Sequence, residues 1–85
     1  MSKREKRLQK MRQNPKDVSM SELEQVFMDY GAWLDRSDGS HHIFSYTIKG
    51  REESLSIPFA RPIKSRYVKL VIEIIDQIRE EENRD

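Results

Sequence analysis

The chain has 85 residues, room for one domain that buries only about 60–65% of the surface its unfolded form exposes. Hydrophobic residues make up 35% and charged residues 36%, and the charge gathers at the two ends, so the middle is richer in core residues than the average suggests. There is no cysteine, which excludes disulfides and thiolate metal sites and fits a reducing cytosol, and no run approaches the roughly 18–20 apolar residues of a membrane span.

Met1-Ser2-Lys3-Arg4-Glu5-Lys6-Arg7 is basic, but no apolar segment follows it as in a signal peptide, so the expected location is the cytoplasm. The net charge of +1 conceals an asymmetry: residues 1–16 hold seven Lys or Arg against one Glu, and residues 73–85 hold six acids against two Arg. Lys3 to Gln13 contains good helix formers, with Leu8 and Met11 spaced i, i+3, a stripe too thin for an independent core helix. With no core expected for them to join, these cations should meet an anion. That anion is RNA phosphate, the acidic end near Glu80-Glu81-Glu82, or a partner's acidic surface. Asn14-Pro15 breaks the helix, because the residue before proline is pushed out of the helical region. Residues 1–17 thus read as a basic extension and linker, 18–79 as the domain, and 80–85 as an acidic tail.

The helix that follows carries clear signals. Ser19 and Glu22 have capping-box spacing, Val18 and Leu23 that of a hydrophobic staple. Leu23, Val26, Phe27 and Tyr30 form one apolar stripe, and Gly31 can take the left-handed conformation that ends helices. Three strands are expected next: residues 32–36, 41–48 and 54–59. Ser37-Asp38-Gly39-Ser40 and Lys49-Gly50-Arg51-Glu52-Glu53 are the turns between them. Pro58 places the third strand's alternation at a strand end or on an edge. Ser65 can cap a last helix whose stripe is Val68, Val71, Ile72, Ile75 and Ile78. The order is α-α-β-β-β-α, an α+β domain whose two main helices cover one face of a three-stranded antiparallel sheet.

Chemistry has few places to reside. The two histidines, His41 and His42, are adjacent, follow a glycine turn and open a strand, so they point to opposite faces. Both parities of that strand carry apolar groups, Ile43 with His41 and Phe44 and Tyr46 with His42, so alternation leaves the core face open. Two neighbouring histidines with no third ligand make a poor metal site, and no cofactor is expected. Phosphate-cradling glycine loops and the G-x-S-x-G nucleophile motif are absent. An imidazole that moves protons near neutral pH remains.

Taken in order, Asn14-Pro15, a capped helix ending in Tyr30-Gly31, Gly39-Ser40-His41-His42-Ile43-Phe44, Ser56-Ile57-Pro58-Phe59 and Pro62-Ile63-Lys64 resemble the HicA toxin family. These are small bacterial mRNA interferases with a double-stranded-RNA-binding-domain-like (dsRBD-like) α-β-β-β-α fold, and the resemblance covers roughly residues 18 to 78. It implies a metal-independent endoribonuclease that acts on mRNA, not on DNA, and is neutralised by a HicB-like antitoxin. The family's catalytic histidine carries over to His41, with His42 as the alternate. Gly39 and Ser40, just before it, are expected to contact RNA. Arg36, Lys49, Arg51, Arg61, Lys64 and Arg66 are candidates for phosphate contacts, six positive charges against three negative over that stretch. Many members carry a second histidine just after the proline of the third strand, where this chain reads Pro58-Phe59-Ala60-Arg61. That departure keeps two other readings open: a non-catalytic RNA-binding domain of the same fold, and a protein-interaction module.

Overall fold

The computed structural model describes residues 2–82, so the last three residues of the expected acidic tail lie outside the described residues. Helix α2 (Met20–Asp29) starts where its signals put it. The Ser19 hydroxyl accepts from the Glu22 N–H at 3.1 Å. The expected capping box is only half made, because the Glu22 carboxylate takes the Ser19 hydroxyl proton instead of the Ser19 N–H. Val18, Leu23, Val26, Phe27 and Tyr30 are all buried, and Gly31, at φ 101°, ends the helix.

The sheet is a meander in the order β1-β2-β3, formed by β1 (Trp33–Asp38), β2 (His41–Ile48) and β3 (Arg51–Pro58), antiparallel throughout. Both turns are shorter than expected. The first is Gly39-Ser40 alone, with Gly39 at φ 60° in the first central position, where a type II′ hairpin needs glycine. The second is Lys49-Gly50, with φ 52° and 74°, the left-handed pair of a type I′ turn. Arg51, Glu52 and Glu53 are therefore strand and not turn, paired with Ile48, Thr47 and Tyr46. Charged residues are poor strand formers in isolation, but on an exposed edge strand the ladder hydrogen bonds decide.

Helix α3 (Ser65–Glu82) runs through Glu80, Glu81 and Glu82, so the expected tail is helical at least to there. The Glu81 carboxylate accepts from the Lys49 N–H at 2.7 Å and ties the helix end to the second hairpin. The buried stripe is Val68, Val71, Ile74, Ile75 and Ile78, with Ile72 only half-buried. Ile74 lies seven residues before Glu81 and shares the flank that meets the sheet. Ile72 lies four before Asp76, on the flank that meets the N-terminal helix. Phe27 stands 5.5 Å from the Phe44 ring and 5.8 Å from that of Tyr46, so β2 turns its even-numbered residues to the helices.

The N-terminal helix α1 (Lys3–Gln13) is part of the domain, contrary to the expected extension with no core to join. A complete capping box, Ser2 with Glu5, starts it. Leu8 and Met11 are each 3% exposed within the core cluster. Arg7 and Arg12 meet protein carboxylates, and these are not Glu80-Glu81-Glu82, one of the three anions the sequence left open. Arg7 forms a two-pronged bond to Asp29 at 2.7 and 3.0 Å, and Arg12 does the same to Asp76. Arg4 and Arg79 approach the buried Tyr30 ring, 4.9 and 5.6 Å from its centre. A two-residue apolar stripe suffices here because these pairs fix its place on α2 and α3.

The Arg7 bond holds the Asp29 carboxyl below the ordinary aspartate range, with a smaller contribution from Gln25 and partial burial opposing. A carboxyl depressed in the folded state stabilises fully above its unfolded value, about 4, and that contribution is lost as pH falls through the folded value. The melting temperature should therefore fall more steeply below about pH 4 for the natural chain than for Asp29→Asn, which starts lower at pH 7. Parallel pH curves for the two proteins would show that the pair adds nothing.

Candidate functional site

The Gly39-Ser40 turn fixes the register, and the register fixes which way each histidine points. His41 pairs with Asp38 on one side and Pro58 on the other; His42 pairs with Ser37 and Ile57. Ile57 is fully buried, so His42 belongs to the helix-covered face. Its ring stacks between Phe44 and Phe59 at 6.5 and 6.0 Å, and its buried Nδ1 has no hydrogen-bond partner. His41 is exposed on the open face. The two histidines are thus separated by the sheet into a packed ring and an accessible one.

The turn is bound to the exit of β3: the Phe59 N–H donates to the Ser40 carbonyl at 2.6 Å. Arg61 follows, its guanidinium 5.4 Å from the Phe59 ring centre. His42, Phe59 and Arg61 therefore form one continuous stack at the histidine end of the sheet. Beside it runs an open groove of about 440 Å³ between the start of α2 and residues 59–62, where Asp17 and Glu22 offset Arg61.

The six expected phosphate ligands do not form one face. Lys49 and Arg51 flank the second hairpin, at the far end of β2, about 23 Å from His41 by strand rise. Lys64 and Arg66 lie where the β3–α3 connection enters the last helix, with Arg66 stacked on Tyr67 at 4.9 Å. Arg36 shares the open face with His41, opposite Ile43, and pairs with its neighbour Asp35 at 3.3 Å. Arg36 lies on the open face near His41, and Arg61 sits on Phe59 beyond the exit of β3.

Sequence reasoning missed three residues of this region: Asp38, directly across from His41; Phe59; and Trp33, which is 39% exposed. A two-residue turn read from Asp38-Gly39-Ser40-His41 would have set the parity of both strands and placed Asp38 and His41 on one face. Among the described residues no group of three or more His, Asp or Glu side chains could hold a metal ion, and no helix is long and apolar enough to cross a membrane.

Fold and site together define an α+β domain with an open sheet face and one accessible histidine at a hairpin. Comparison with protein-family models, with curated proteins and with solved structures gives no match.

Proposed function

We propose that this chain is a HicA-like endoribonuclease of dsRBD-like fold, a cytoplasmic toxin that cleaves mRNA without a metal and is held inactive by a HicB-like antitoxin. The observation that supports it best is the placement of His41, accessible on the open sheet face beside the Gly39-Ser40 turn. RNA carries its own nucleophile. The 2′-oxygen attacks phosphorus as its proton passes to the His41 imidazole, the P–O5′ bond breaks, the leaving 5′-oxygen takes a proton from water, and His41 returns its own proton to solvent. The products are a 2′,3′-cyclic phosphate and a 5′-hydroxyl. Arg36, on the same open face, is the cation placed to neutralise the developing charge on the phosphorane.

A second reading, an RNA-binding domain without catalysis, draws on Phe59. It occupies the place where many HicA proteins carry a second histidine, and it packs on His42. Purified protein and single-stranded RNA in excess chelator separate the two. Cyclic phosphate ends and growth arrest on expression, relieved by a co-expressed HicB-like protein, support the first. Binding without cleavage leaves the second, and neither binding nor cleavage defeats both.

A further inference from the structure

The open face of the sheet holds a serine that ought to be exposed. Ser45 points away from the helices, since it alternates with Phe44 and Tyr46, yet it is only 3% exposed. Trp33 is its cross-strand neighbour on β1 and Ser54 its neighbour on β3. Ser54 is short, and of the open-face neighbours of Ser45, which include Ile43 and Thr47, the Trp33 indole is the largest. Trp33 is itself 39% exposed, so much of its surface is covered while a large part meets solvent.

We infer that the Trp33 indole, lying over Ser45, is a stacking subsite for an unpaired nucleobase of single-stranded RNA. The inference rests on the proposed RNA-directed function. The geometry suits it: the row across the sheet is Trp33, Ser45, Ser54, with Ile43 and Thr47 flanking Ser45 on the same face. Adjacent rows bring Ser56 and the Arg36 guanidinium to the same face, a hydroxyl and a cation for base edges and phosphate. His41 lies four residues along β2 from Ser45, which places it about 14 Å from the Trp33 position. An extended strand covers that span in about two or three nucleotides, so a base held on Trp33 would fix which phosphate reaches His41. Asp38 and Glu52 also lie on this face and offset Arg36 and the phosphates, so stacking, more than charge, holds the base here.

Trp33 is the only tryptophan in the chain, and its emission reports on the site directly. A 2′-O-methylated oligoadenylate, which cannot be cleaved, should quench that emission saturably. An abasic backbone of the same length and charge should leave it unchanged. Trp33→Ala should weaken oligoadenylate binding by about 5- to 150-fold, and Trp33→Phe should retain most of it. The quenching needs no substitution, so it decides the matter even where Trp33→Ala unfolds. Oligoadenylate that binds, by the anisotropy of an attached fluorescent label, without altering Trp33 emission overturns the subsite and leaves the RNA-directed reading standing. No binding of any oligonucleotide overturns both.

Discussion

Replacing Phe27 by alanine is expected to destabilise the domain by about 3–5 kcal/mol, the usual range for a buried phenylalanine. Phe27 is fully buried and joins the elements: its ring meets Phe44 and Tyr46 on β2, and its carbonyl accepts from the Tyr30 and Ala32 N–H groups at the helix end. Domains of this kind are stable by only about 5–15 kcal/mol, and a small one has little to lose. The melting temperature should fall by roughly 12–40 °C, read by circular dichroism. Two isoleucines of α3 give an internal comparison. Ile75→Ala removes a fully buried side chain and should cost about 2–5 kcal/mol, while Ile72→Ala, at a half-buried position, should cost clearly less. Equal losses at the two positions would mean that α3 presents a different face to the sheet.

That comparison also shows where the sequence stops being informative. Helix α2 could be read because everything that sets it is local: Ser19 caps it, Val18 and Leu23 brace the first turn, and Gly31 ends it. The stripe of α3 could be read only to within one residue, since i, i+3, i+4 spacing admits either Ile72 or Ile74. The choice depends on which flank meets the sheet and which meets α1. Burial of α1 is less legible still. Its partners Asp29 and Asp76 lie 22 and 64 residues away from Arg7 and Arg12, and no local pattern encodes such pairs. The strands were recognisable by their β-branched and aromatic residues, but their ends were not. Ser37, Asp38, Arg51, Glu52 and Glu53 are turn-like residues that become strand because two tight turns pull them into the ladder. The histidine pair was evident as a pair. Its faces were not, because Ile43 and Phe44 are equally plausible core residues until Phe27 is seen against Phe44.

Substituting His41 by alanine should reduce RNA cleavage by about 10²- to 10⁴-fold, the scale of a lost general acid or base, and abolish growth arrest on expression. The melting temperature should hardly change, because His41 is exposed and none of the side-chain contacts described above depend on it. His42→Ala should show the reverse pattern. Its ring fills the space between Phe44 and Phe59, so truncation removes packing and lowers stability. Cleavage at temperatures where that variant stays folded should persist. The two variants together separate chemistry from folding, which neither can do alone. A swapped outcome, with His42→Ala inert yet stable and His41→Ala active, would place the reacting phosphate on the helix-covered side of the hairpin, against Phe59 and Arg61. Activity in both variants would remove histidine from the mechanism, and the Asp38 carboxylate across from His41 would be the next group to substitute. RNA binding measured alongside keeps a lost contact distinct from a lost proton transfer. His41→Ala should bind uncleavable RNA nearly as well as the natural chain, since the imidazole acts in the transition state more than in the bound complex.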